Sequence, residues 1–374
     1  MKLTKEKIII LIVAVIAIVA IICGIAFSGK KDGTNKDTDA VSDASSETTE
    51  DGEDIYASAT SFLTGEPISE DLVHNRPISV MVENTSAAKQ YGLNSAGVIY
   101  ECPVEGGITR LMAIFDDWEN LEKIGNIRSC RPYYIYLAKE FDSIYIHVGQ
   151  SIHAETVLNQ GIVDDINALK GPASSITFFR TNEAKAPHNM FASPDSIKKG
   201  IAAEGYRTEY SDDYKGHYVF ASKDDPELLE NGEDIRVIQP YFFDNKPYFI
   251  YNEETGLYDR YQFGKAQTDL ADGKQVSVKN VILQASSDPT GIYDGSQYLI
   301  MSVIGRGPGK YFTNGKMIDI TWVKESEGGV TRYFDNATGD EIRINPGQTW
   351  VSVIQLEYMN DNKYYATEED FKNR

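Results

Sequence analysis

Residues 128–161 read RSCRPYYIYLAKEFDSIYIHVGQSIHAETVLNQG, and the changes of apolar period within them decide the fold class. Pro132 opens a run of helical spacing that lasts to Phe141. Ile144–Val148 is short and β-branched, as a strand requires. Ser151 then opens a second helical run that Gly161 can end. Working outward, RPISVMVEN (76–84), AGVIYECPVE (96–105) and TRLMAIFDD (109–117) read extended. SSITFFR (174–180) reads as a strand, and SPDSIKKGIAAEG (193–205) as a helix capped by Ser193 with Pro194 in its first turn. The expectation for residues 61–233 is therefore a layered, mixed α/β domain. From Asp234 the helical period disappears: PYFFDNKPYFIYN (240–252), KQVSVKNVILQA (274–285), GKYFTNGKMIDITWVKE (309–325) and TWVSVIQLE (349–357) are strands separated by Asn-Gly, Asp-Gly and Gly-rich turns. Residues 234–374 are expected to form a mostly antiparallel β domain, with the boundary near residues 230 to 236.

The N-terminus carries a different signal. Lys2, Lys5 and Lys7 precede an uncharged apolar run from Ile8 to Phe27. Twenty helical residues reach about 30 Å, the thickness of a bilayer's hydrocarbon core. Residues 1–27 are read as an uncleaved membrane anchor, with the lysines cytoplasmic and residues 28–374 outside the membrane. Cys23 admits a competing reading as a lipidated cysteine, but Ile21 and Ile22 stand where a lipoprotein signal wants small residues. Residues 28–60 are Ser, Thr, Asp, Glu, Gly and Lys with only Ile55 and Tyr56 as large apolar groups, a composition expected to remain a disordered tether. The formal net charge is −20. Such a chain repels phosphate backbones, and no basic stripe with interleaved aromatics is present, so nucleic acid is not an expected partner. The three cysteines, Cys23, Cys102 and Cys130, have no metal-ligand spacing and form no disulfide framework; neither metal nor cofactor is expected.

Several blocks occur together in order: RPISVMVEN, VIYECPVEGGITRLMAIF, IGNIRSCRPYYIYLAKEFDSIYIHVGQS and APHN in the first half. YDRYQFGKAQTD, VKNVILQ, IGRGPGKYFTNGKMIDITW and INPGQTWVSVI follow in the second. Together they resemble the YerB-like lipoprotein family, a bacterial domain of unknown function, over nearly all of residues 61–374. The resemblance implies an extracytoplasmic, membrane-tethered protein with a layered α/β N-terminal domain, and it implies no established reaction.

The residues that can carry chemistry lie mostly in the first half. Arg128 and Arg131 flank Ser129-Cys130 at a helix start, where guanidiniums and free backbone N–H groups can hold a carboxylate or phosphate. The rival is that these arginines brace the acidic loop Glu101-Cys-Pro-Val-Glu105. Glu101, Glu105 and Arg110 flank Gly106-Gly107, which suits a ligand approach or an ordinary tight turn. Positive neighbours would activate a Cys130 thiolate, but the matching family motif typically carries alanine there. Ser151 near His147 and His153 lacks the second glycine of a nucleophile elbow and reads better as a helix cap. Arg180, His188 and Asn189 sit in a loop after a strand, a placement that serves function or a local turn equally well. The leading expectation is a non-catalytic binding protein of the bacterial cell envelope. Arg128, Arg131, Arg110 and Arg180 would meet an anionic ligand or protein partner, with His188 and Asn189 as polar readers. The alternatives are a cell-wall hydrolase or transferase using Glu101 or Glu105 with His147 or His188, and an envelope scaffold.

Overall fold

The computed structural model describes residues 59–374, which belong to one compact unit, Ile55–Arg374. Its centre is an eleven-stranded sheet. In chain order the strands are β1 (Ile78–Asn84), β2 (Val98–Pro103), β3 (Thr109–Phe115), β4 (Ile144–His147), β5 (Asp165–Asn167) and β6 (Glu233–Asp234). They continue with β7 (Asn280–Ser286), β8 (Gly305–Thr313), β9 (Lys316–Lys324), β10 (Arg332–Asp335) and β11 (Thr349–Gln355). The spatial order is β6-β9-β8-β7-β11-β2-β3-β1-β4-β5, with β10 also on β9. Strands from both sides of the expected 230–236 boundary thus share one sheet. They are joined where β11 pairs in parallel with β2, Trp350 opposite Ile99 and Ser352 opposite Glu101.

Seven strands, β1, β2, β4, β5, β7, β9 and β11, run the same way, and their carboxyl ends form a common edge. The central strands are buried along their whole length because both faces are covered, which is why they read as near-continuous apolar runs. Alternate residues serve two cores. Tyr100, Met112 and Val351 pack with helices α1 (Pro132–Lys139) and α2 (Ile152–Leu158). Ile99, Leu111 and Trp350 pack with helix α3 (Pro194–Glu204) and with a second sheet built on Val237–Gln239, Tyr248–Asn252 and Leu257–Gln262. Ser193 and Ser196 form a capping box at the start of α3, and Gly205 ends it in the left-handed region.

Three local readings are corrected. Ala59–Thr60, expected to end the tether, already pair with Pro67–Ile68. The extended reading of 174–180 holds only for Phe178–Arg180. Ser174–Thr177 is a helical turn whose Thr177 lies against α3 at Gly200, where a Cβ would collide with it. A short helix, Glu368–Lys372, occurs in the otherwise β second half. Among the described residues no helix is long and apolar enough to cross a membrane. The run Ile8–Phe27, Cys23 and the tether up to residue 58 lie outside the described residues.

Candidate functional site

The carboxyl edge of the same-direction strands is where open α/β sheets place ligands, and here it collects most of the residues singled out above. Side chains alternate across the sheet, so the edge has two polar faces. On the face of the second sheet, Glu101 is wholly buried. Its Oε1 accepts from Asn84, Thr109 and Asn245 at 2.8–3.0 Å, and its Oε2 from Arg260 Nη2 at 2.7 Å. On the helix face, one residue along each strand, Glu83 of β1 stands directly opposite Arg110 of β3. Glu101 and Arg110 therefore belong to different sites despite their closeness in sequence.

Residues 127–130 cross this edge as an extended segment. Arg128 N donates to Met81 O, Val148 N to Arg128 O, and Cys130 N to Gly149 O, which fixes the arginines over the ends of β1 and β4. Arg131 is the N-cap of α1. It grips Glu105 through Nε at 2.7 Å and Nη2 at 2.6 Å, so the bracing role expected for one of the pair is the one the geometry shows for Arg131. Arg128 is partly exposed, donates to Pro187 O at 3.1 Å, and holds its Nε 3.9 Å from Glu83 Oε1. Arg110 differs from both. It is 5 % exposed, donates from Nη1 to Ser129 O at 2.6 Å and to the Ser129 hydroxyl at 3.2 Å, and its Nε has no partner. Among the described residues it makes no ion pair. Its opposite neighbour Glu83 is turned to Asn126, to His188 Nδ1 at 2.6 Å and to Thr85. Burial, then the nearby charges of Arg131 and Arg128, push the Arg110 guanidinium below its ordinary value. Burial would lower Arg131 too, but Glu105 outweighs it and raises that group.

The other candidates take separate places. His147 is buried, with Nδ1 2.8 Å from Gly149 O and Nε2 3.1 Å from Asp165. His188 sits beside Arg128 through the shared Glu83. Arg180 is exposed and donates to Asn189 Oδ1 at 2.7 Å, while Asn189 Nδ2 closes the loop on Thr181 O. No hydrogen bond or ion pair among the described residues joins Glu101 or Glu105 to His147 or His188. Ser151 is the N-cap of α2, accepting from Ala154 N at 3.2 Å. Cys130 is buried, and burial pushes its thiol up to about 12 against the lowering influence of Tyr145 and Arg131; that is the opposite of an activated thiolate. Among the described residues Cys102 and Cys130 form no disulfide.

Sequence reasoning missed Glu83, Asn126 and Ser129. Glu83 is the last residue but one of a mostly apolar strand, and its role appears only once β1 and β3 are in register. Ser129 was hidden between the two arginines. A signal for Glu83 did exist, since a carboxylate in a mostly apolar strand must find partners.

Comparison with known proteins places the fold and these blocks in context. Residues 63–207 match the family model described as "Protein of unknown function (DUF3048) N-terminal domain", and residues 237–351 match that of its C-terminal domain. A Bacillus subtilis (strain 168) protein described as "Putative lipoprotein YerB" is 30% identical over 296 residues, covering 78% of this chain and 85% of the relative. The crystal structure of YerB protein from Bacillus subtilis superposes with a TM-score of 0.70 at 27% identity, over 82% of this chain and 99% of the other. The mixed α/β architecture is thus that of a solved relative. With both halves matched in order, the chain belongs to the DUF3048 family of proteins of unknown function, spanning its N-terminal and C-terminal domains.

Proposed function

We propose that this protein is a membrane-attached, extracytoplasmic binding protein of the cell envelope, whose Arg110 and Arg128, beside the Arg131–Glu105 brace, receive the carboxylate or phosphate of an envelope ligand or protein partner. One observation carries the reading: among the described residues Arg110 is a buried guanidinium with no carboxylate bound to it and an unpartnered Nε. A buried charge without a counter-ion is costly, and an incoming anion is the simplest way to supply one. Arg128 and the Ser129 hydroxyl, both partly exposed, give that anion its approach and two further donors. Attachment is supported by the lysine-flanked apolar run and by the lipoprotein description of the relative. An uncleaved helix is the favoured form; mass spectrometry of the mature N-terminus tests it, and a diacylglyceryl Cys23 would replace it with a lipid anchor.

The binding test is affinity capture from envelope extract with the full chain, comparing wild type, Arg128→Gln and the double change Arg128→Ala with Arg131→Ala. Arg128→Gln leaves the Arg131–Glu105 brace in place. Loss of anionic species from the captured set is the expected result; an unchanged set from folded variants refutes the arginine site. A second reading, a cell-wall hydrolase or transferase, draws on His188, whose Nδ1 is 2.6 Å from the buried Glu83 carboxylate. That contact orients an imidazole as acid–base catalysis requires. Release of soluble fragments from purified cell wall, abolished by His188→Ala, would favour it.

A further inference from the structure

A cleft of about 370 Å³ opens at the same carboxyl edge, at the β2–β11 junction. Its floor is the Glu105-Gly106-Gly107 turn after β2. Its walls are the Tyr241–Phe243 loop, the hairpin Thr290–Tyr293/Ser296–Leu299, and Gln355 to Tyr358 after β11. We infer that this cleft is a carbohydrate site that takes an uncharged pyranose ring of a glycan strand.

Aromatic rings are held open to solvent at this cleft. Phe243 is 73% exposed, and Tyr241 is exposed beside it on the wall of the cleft. Exposed large apolar groups scattered singly need no explanation, but a cluster around one concavity marks a binding surface. The Tyr241 and Tyr358 rings pair at 5.0 Å between centroids, inclined by 35°, and Tyr298 also lines the cleft, from the hairpin. Gly107 has a positive φ of 74°, and a Cβ there would stand 3.0 Å from the Phe243 ring, so glycine lets that ring lie on the turn. At Gly106 a Cβ would meet nothing within 4 Å, which leaves the floor open.

The chemistry of the lining selects the ligand. Glu105 is the only charged residue of the cleft among the described residues, and it is already neutralised by Arg131. The other polar groups are the amides of Gln297 and Gln355, the hydroxyls of Thr109 and Thr290, and those of Tyr241, Tyr298 and Tyr358; Gln355 Nε2 already donates to Asp288 at 2.7 Å and the Thr109 hydroxyl to Glu101. Aromatic faces interleaved with neutral donors and acceptors suit a pyranose, which offers a C–H face to a ring and a rim of hydroxyls to amides. A lipid tail would leave the Gln297 amide and the Thr290 hydroxyl unpaired, and an anion would find no cation. The volume is that of a small-molecule site and matches one or two sugar rings more closely than a folded partner.

The cleft shares only Glu105 with the arginine cluster, so the two sites can fail separately. The test is calorimetric titration of the full chain, in a buffer free of glycosidic detergent, with chitotetraose, cellotetraose and maltotetraose. Saturable binding of at least one is expected, weakened by about tenfold or more in the double variant Phe243→Ala with Tyr358→Ala and unchanged in Arg128→Gln. All four wild-type and variant samples, the single Phe243→Ala included, are checked for unfolding midpoint, and because Phe243 is exposed and Tyr358 only partly buried the fold is expected to survive. No saturable binding of any of the three sugars overturns the inference, as does equal affinity in the double variant. Sedimentation showing a wild-type dimer that Phe243→Ala dissociates would also overturn it, assigning the cleft to a second copy of the chain.

Discussion

At the scale of single residues, the Glu101–Arg260 pair shows how the same motif can be structural where it looked chemical. Both side chains are fully buried. Arg260 Nε donates to Gln267 at 2.6 Å, and the guanidinium lies 3.9 Å from the centroid of the Trp350 ring. Burial lowers this guanidinium to about 10, against the opposing pull of Glu101. Removing one partner strands the other, so Arg260→Met should cost about 3–5 kcal/mol in urea unfolding, and adding Glu101→Gln to it should recover part of the loss. A cost below about 1 kcal/mol would mean that the pair is not what holds Glu101. Nothing local announced this role, because the partners are 159 residues apart. The cysteines give a second test. With Cys130 buried and its thiol near 12, and Cys102 pushed up by burial as well, iodoacetamide at pH 8 should label neither until the protein is unfolded. Rapid labelling of the native protein would contradict this.

Between elements, the end of α1 is tied to the end of β9 by a buried ionic group. Glu140 Oε2 lies 2.5 Å from His217 Nε2, and its Oε1 lies 3.1 Å from Lys324 Nζ and 2.9 Å from the Thr331 hydroxyl. His217 stacks on Phe141 at 4.3 Å, and its Nδ1 is buried without a partner. The neutral imidazole can donate from Nε2 to the carboxylate, whereas a second proton on Nδ1 would have no acceptor. Burial therefore pushes the imidazole below its ordinary 6.5 despite the adjacent carboxylate, whose charge Lys324 already balances. Burial alone would raise Glu140, but Lys324, His217 and Thr331 outweigh it and hold the carboxyl below 4.5. Both groups bind protons less readily folded than unfolded, so the sign is common: stability is full above about pH 6.5 and falls on acidification, first through His217 and then, below about pH 4.5, through Glu140. The urea midpoint should be level between pH 7 and 8 and decline from about pH 6.5 downward, and His217→Gln should flatten the first part of that decline. A midpoint that stays level to pH 5 in the wild type would refute the assignment.

For the molecule as a whole, what could be read from sequence was what depends on near neighbours. The period changes in 128–161 gave α1, β4 and α2 in order, and Ser151 and Ser193 marked helix starts that the structure caps with those hydroxyls. The arginine cluster was legible in composition, but the split between a bracing Arg131 and an unpaired Arg110 depends on which face each strand turns to Ser129 and Glu105. The parallel pairing of β11 with β2 was not legible at all. Both are apolar runs compatible with many registers, and nothing in either names a partner some 250 residues away (Thr349 opposite Val98). That pairing has a mechanical consequence. It puts residues from both halves into each core, with Tyr100 and Val351 in one and Ile99 and Trp350 in the other, and it lets Arg260 of the second half satisfy Glu101 of the first. A break between the halves would expose the edge of β2, open both cores and leave Glu101 short of its counter-ion. The described unit should therefore unfold as one cooperative body, with a single calorimetric transition and a van't Hoff enthalpy equal to the calorimetric one. Val351→Pro, which removes a ladder hydrogen bond in the middle of the sheet, should lower that one transition by the equivalent of ~3 kcal/mol or more and not split it. Two transitions in the wild type, or a variant in which only one half melts early, would show that the shared sheet does not couple the halves.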